Sequence, residues 1–157
     1  MTPFLADIDP LFKVLAPRRA DWLTILPEIA VAGLSLLCLV QAMLLPKGSR
    51  GLIALTARAG LALVALMALT AGPWTQPAEI SSFAGLLRQN LPTDGVRMVF
   101  LLSALLTSFL AERFLRDRDA AVADYHHVLL VVTAAFMLLA QSDHFVSFFL
   151  CLETAAV

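Results

Sequence analysis

The sequence predicts an all-α fold, a polytopic transmembrane helix bundle with four full spans and a truncated fifth. Three observations predict it. Of the 157 residues, 60% are apolar and only 15% charged, where a soluble domain carries about a quarter charged. Mean hydropathy is +0.85. The apolar residues are gathered into runs, most of them long enough as helix to cross a ~30 Å hydrocarbon core, and short polar turns separate them. A net charge of −1 gives no electrostatic footprint for nucleic acid. Cys38 and Cys151 both lie in apolar runs and read as small buried hydrophobes, with no CxxC or Cys/His cluster for zinc or iron–sulfur.

Residues 1–22 read as an N-terminal tail or interfacial segment and 23–157 as the transmembrane domain. The tail is not a cleavable signal, because Asp7, Asp9, Lys13, Arg18 and Arg19 interrupt it before any apolar run begins. Leu11–Val14 reads either as a short surface helix or as part of a solvated tail. The first span, 23–45, is about 34 Å long as helix. Trp22 stands at its mouth, where an indole favours the headgroup level. Pro27 falls in the first turn, where a missing N–H costs little. Glu28 is expected to be an interfacial carboxylate near the positive helix N-terminus, with a direct transport role as the alternative.

The second span, 52–72, holds Arg58, expected to snorkel back toward Lys47 and Arg50. Pro73, Pro77, Pro92 and Gly95 break the long connection that follows. A surface-lying amphipathic segment is expected over 81–91, and Asn90–Gly95 has turn chemistry. The third span, 96–114, has a short uncharged core, so Arg97 and Glu112/Arg113 are expected to snorkel at its ends. A solvated loop with Arg113, Arg116 and Arg118 leads to the fourth span, 125–140. His126 and His127 stand at its entrance. They read as a neutral pair at headgroup depth, or alternatively as groups tuning a proton path. Asp143 lies in the turn that opens the fifth run, 144–157.

In that run, Glu153 lies ten residues past Asp143, about 15 Å of helix and so near the bilayer midplane. An unpaired carboxylate there is costly and is a proton-relay or ion-pair acid by default. The alternative is a structural acid bonded to a neighbouring helix. The two lysines, Lys13 and Lys47, lie outside the spans, so a cationic lysine partner must come from elsewhere. The run is about 21 Å long, and a truncated chain is the expectation. Lys and Arg divide five to six between the two sides, with Lys13, Arg18, Arg19, Arg88 and Arg97 facing Lys47, Arg50, Arg58, Arg113, Arg116 and Arg118. That leans slightly toward an outside, periplasmic N-terminus.

Several stretches resemble subunit N of bacterial NADH–quinone oxidoreductase, respiratory complex I, an antiporter-like membrane subunit family. They are Leu26-Pro27-Glu28 in LTILPEIAVAGLSLL, TDGVRMVFLLSALLT around Asp94, and ADYHHVLLVVTAAFMLLAQSDHFVSFFLCLE. The last is similar to the family's Met-rich helix, polar turn and LFLxLE helix. The resemblance implies that this is an N-terminal portion of a non-redox subunit contributing to proton translocation. Glu153 would stand at the family's channel glutamate, which pairs with a lysine on a later helix. Glu28, His126, His127 and Asp143 are secondary candidates. The resemblance further implies a translocase subunit without activity of its own, in a bacterial inner membrane. It would bind no cofactor or metal directly, with NADH, quinone, flavin and iron–sulfur clusters handled by other subunits. The expected partners are those membrane subunits and the lipid bilayer. Two alternatives remain: a subunit of a related cation/proton antiporter or membrane-bound hydrogenase, and a stand-alone structural or assembly protein.

Overall fold

The structure is a computed structural model, and it describes residues 19–44, 50–71, 79–116 and 122–156. Residues 1–18, with the short helix considered over Leu11–Val14, and residues 117–121 of the loop between the third and fourth spans lie outside the described residues. Among the described residues there are six α-helices and one two-stranded antiparallel ribbon. In chain order they are α1 (Arg19–Thr24), α2 (Leu26–Leu44), α3 (Arg50–Ala71), β1 (Ile80–Ser82), β2 (Leu87–Gln89), α4 (Leu91–Arg116), α5 (Val122–Gln141) and α6 (Phe145–Ala156).

Four helices are long and apolar enough to cross a membrane: α2, most of α3, the Leu91–Ala111 part of α4, and α5. These are the four expected spans. The first run is divided by a turn at Ile25. Pro27 has no N–H to offer the Leu23 carbonyl, so the hydrogen-bond ladder is interrupted there and resumes with Ile29 N donating to Ile25 O at 3.0 Å. The third span begins earlier than its apolar residues suggest. Asn90 caps it, its Oδ1 accepting from Thr93 N at 3.0 Å, and Pro92 sits in the first turn, where it is tolerated. The turn chemistry expected over Asn90–Gly95 is in fact the capped first turn of a helix.

The expected amphipathic segment over 81–91 is corrected. These residues form the β1–β2 hairpin, with Ile80, Ser81 and Ser82 opposite Gln89, Arg88 and Leu87. Phe83, Ala84 and Gly85 at its tip all have positive φ, a tight turn that helical periodicity cannot reveal. The hairpin straps one end of the bundle. Trp22 packs edge-on against Phe83 with centroids 5.6 Å apart. Asp143 N donates to Leu86 O at 3.1 Å, and Ser147 Oγ donates to the same carbonyl at 3.1 Å. Outside the spans, Arg88 pairs with Glu79. The guanidinium holds the Glu79 carboxyl below its usual range, and the carboxylate holds Arg88 up.

Helix α5 is the centre of the bundle, packed against α2, α3, α4 and α6. The shared core is Val31, Leu34 and Cys38 of α2, Ile53, Ala57, Leu61 and Val64 of α3, Leu101 and Ala104 of α4, and Leu130, Ala134 and Met137 of α5. Alanines let the backbones approach. At Gly60 the approach is closest, and a Cβ there would collide with the Leu34 methyls. Outward-facing positions carry Leu36, Leu37, Leu55, Leu63, Leu102, Leu106 and Phe109, all exposed. Meanwhile Glu28, Asp94, Arg97, Ser108, His126 and Gln141 are buried. Polar groups turned inward and large hydrophobes turned outward is the arrangement lipid demands and water forbids. The chain is a multi-pass membrane protein. Helix α6 contains no buried residue, and Phe145, Phe149 and Leu150 face outward.

Candidate functional site

Two polar groupings lie inside the bundle. The first joins the hairpin end of three spans. Glu28, 2% exposed, accepts on one oxygen, Oε1, from Arg97 Nη2 at 2.6 Å and Nε at 2.7 Å, and from Gln141 Nε2 at 2.7 Å. Arg97 Nη1 reaches Asp94 Oδ1 at 2.7 Å, one turn back on α4. Gln89 Nε2 of the hairpin donates to the same Asp94 oxygen at 3.1 Å. Glu28 Oε2 has no protein partner among the described residues. One expectation is therefore corrected: Arg97 does not snorkel. Glu28 stands in the first turn of α2, near the positive helix N-terminus as expected, but is buried between helices. Both turn inward because each is the other's counter-charge at the same depth, and a buried ion is tolerable only when paired and hydrogen-bonded.

The second grouping flanks α5 in the half of the bundle away from the hairpin. His126 is 1% exposed, between α4 and α5. Its Nδ1 donates to Val122 O at 2.7 Å, and its Nε2 lies 3.2 Å from Ser108 Oγ. Arg58 Nη2 donates to Ser108 O at 3.2 Å, and the guanidinium lies over the Phe109 ring, 4.9 Å from its centroid. Arg58 thus reaches α4, where a carbonyl and a ring meet its guanidinium; Lys47 and the Arg50 side chain, toward which it was expected to snorkel, lie outside the described residues. His127 looks the other way. Its Nδ1 lies 2.6 Å from Ser35 Oγ of α2, and Ser35 is itself buried. The histidines therefore pack on opposite sides of α5, about one turn in from its start, and do not act as a pair.

Glu153 stands eight residues into α6, about 12 Å from its start. It is exposed on the bundle's flank. It borders a cavity of about 420 Å³ lined by His127, Val128, Val131 and Val132 of α5 and by Glu153 and Thr154 of α6. The structure thus brings His127 to Glu153, and Glu28 to Arg97. It leaves Asp143 apart from both, on the surface 3.9 Å from Arg88 Nη1. Among the described residues, no group of three or more His, Cys, Asp or Glu is arranged to hold a metal ion.

Sequence reasoning missed Arg97 and Gln141 as partners of Glu28, Asp94 as the second acid on Arg97, and Ser35 as partner of His127. A signal existed for the first set: an acid, an arginine and a glutamine each stand at a span end on the same side of the membrane. Ser35 carried none.

No family model matches the chain. Curated relatives do. NADH-quinone oxidoreductase subunit N 1 of Opitutus terrae is 39% identical over 139 residues, 87% of this chain and 27% of that protein. The chain belongs to the NADH-quinone oxidoreductase subunit N family. Subunit N 1 of Solibacter usitatus is 30% identical over 138 residues, again 87% of this chain and 27% of the relative. NAD(P)H-quinone oxidoreductase subunit 2 of Prochlorococcus marinus is 34% identical over 91 residues, 58% of this chain and 17% of the relative. The chain therefore spans about a quarter of the length of the subunit N proteins it matches. The relatives are named as subunits of an oxidoreductase, and the family is the one that the LPE, TDGVR and LxLE stretches resemble.

Proposed function

We propose that this chain forms part of a non-redox membrane subunit that contributes to proton translocation coupled to electron transfer from NADH to quinone. Glu153 is the relay acid. The observation that carries this reading is its position: a carboxylate on an apolar helix, bordering a cavity shared with an imidazole inside a lipid-facing bundle. Such a carboxylate takes up and releases a proton without moving the backbone, and the low-polarity surroundings make its charge sensitive to any cation brought near. A lysine on another helix of the whole subunit is the cation the family resemblance supplies. Glu28, Arg97, Asp94 and Gln141 hold three spans in register, so the secondary role of Glu28 is structural. His126 and Asp143 are likewise structural.

On this reading the chain is one piece of a translocase and has no activity alone. Flavin, iron–sulfur clusters, NADH and quinone are handled by other subunits, which with the lipid are its partners. It lies in a bacterial inner membrane with its N-terminus outside. The test is Glu153→Gln in the assembled complex. Translocation is expected to fall several-fold while assembly survives, because the amide keeps the shape and cannot titrate. Normal translocation by an assembled variant would overturn the reading.

A further inference from the structure

Among the described residues, His127 is held differently from the histidine beside it. Its neighbour His126 has both ring nitrogens engaged, by Val122 O and Ser108 Oγ. His127 is held by Nδ1 alone, and Nε2 has no protein partner among the described residues. The partner of Nδ1 is adaptable. Ser35 Oγ is 2.6 Å from Nδ1 and 3.4 Å from His127 O. The hydroxyl can donate to a neutral Nδ1. It can also swing its hydrogen toward that carbonyl and accept from a protonated Nδ1. The ring keeps a hydrogen bond in both charge states without moving.

The cavity of about 420 Å³ has room for several waters. Only His127, Glu153 and Thr154 among its lining residues carry polar side chains; the rest are valines.

We propose that His127 exchanges protons with Glu153 through water in this shared cavity, as a second relay group carried by the chain itself. The proposal rests on the reading of Glu153 as a relay acid. In the step, the N–H bond at Nε2 of the imidazolium breaks and an O–H bond forms at the Glu153 carboxylate. The intervening water takes one proton and passes on another, and no electrons move. On the helices packed against α5 the described titratable or charged groups include Glu153 and Cys151 of α6, Glu28 and Cys38 of α2, Arg58 of α3, and Asp94 and Arg97 of α4, with Asp124, Tyr125 and His126 on α5 itself. Of these, only Glu153 shares the cavity. Imidazole titrates near neutrality, so a nearby carboxylate decides how much of it is charged.

The test is the charge state of His127, followed by nitrogen-15 NMR of the full-length protein in lipid bilayers. The signal is assigned by its loss in His127→Gln. In Glu153→Gln, the pH dependence of the His127 signal is expected to differ from wild type, because the group that shares its cavity no longer accepts a proton. Glu153 is exposed, so that substitution leaves packing intact. In the assembled complex, His127→Gln is expected to lower translocation most on the acidic side of its pH profile, a change that loss of packing alone does not produce. A His127 titration identical in wild type and Glu153→Gln overturns the inference, as does a His127 that stays neutral down to about pH 5. Because the NMR readout does not use pumping, the two ideas fail separately. Normal translocation in Glu153→Gln sinks the relay reading. An uncoupled His127 beside defective translocation sinks only this one.

Discussion

At the scale of single residues, the Glu28–Arg97 pair shows how charge is carried inside an apolar bundle. One carboxylate oxygen collects three donors, and the arginine bridges to a second acid on its own helix. The arrangement is asymmetric, so the two partners should respond differently to removal. Arg97→Ala strands two buried carboxylates, Glu28 and Asp94, and is expected to cost about 3–5 kcal/mol or prevent folding. Glu28→Gln leaves Arg97 paired with Asp94 and is expected to cost clearly less. Thermal unfolding of the two variants in the same lipid or detergent checks the order. An equal or reversed loss would show that the network does not hold the spans. The sequence made each group's depth legible, since depth follows from counting 1.5 Å per residue. It did not make the pairing legible, because facing depends on how each helix is rotated about its axis. Glu28 and Arg97 were accordingly expected at interfaces, when each supplies the other's counter-charge.

At the scale of elements, the apolar runs foretold the four spans well, and the errors fell at their ends. Helix α4 starts at Leu91 rather than at the first long apolar stretch, because Asn90 caps it. The β1–β2 hairpin was invisible for a related reason: strands of three residues leave too little alternation to see, and the turn depends on three successive positive φ angles. Two predictions belong here. Gly60 lies where α2 and α3 come closest, against Leu34. Gly60→Val is expected to cost about 1–3 kcal/mol by overpacking, read as a lower unfolding temperature, and an unchanged temperature would mean that the helices part freely. The hairpin's exposed Glu79–Arg88 pair depends on an ionised Glu79. The folded-state carboxyl lies below its usual value, so the pair's contribution is present above the ordinary carboxylate range of about pH 4 and is lost as pH falls through the lower folded value. Protection of the Arg88 amide, its exchange rate relative to the intrinsic rate at the same pH, should fall under those acidic conditions, and high salt should weaken the effect. Protection that does not change with pH would mean that the strap is held by its backbone bonds to Asp143 and by Ser147 instead.

At the scale of the whole molecule, the described residues form a bundle with an apolar core, a few buried polar groupings, an apolar exterior and one helix, α6, that contains no buried residue. The sequence sets Glu153 apart as a lone acid in an apolar run, with no lysine in the spans to pair with it, but it does not reveal the imidazole that folding brings to the same cavity. Nothing in a linear sequence distinguishes the α2-facing and α4-facing sides of α5, yet that choice sets His126 against Ser108 of α4 and His127 against Ser35 of α2, beside the cavity that Glu153 borders. The central claim is that Glu153 moves protons. It is tested most directly by the number of protons translocated per NADH oxidised, measured in membrane vesicles holding the assembled complex with Glu153→Gln. The account predicts a ratio clearly below wild type while the complex stays assembled and still oxidises NADH. A wild-type ratio in that variant would contradict it.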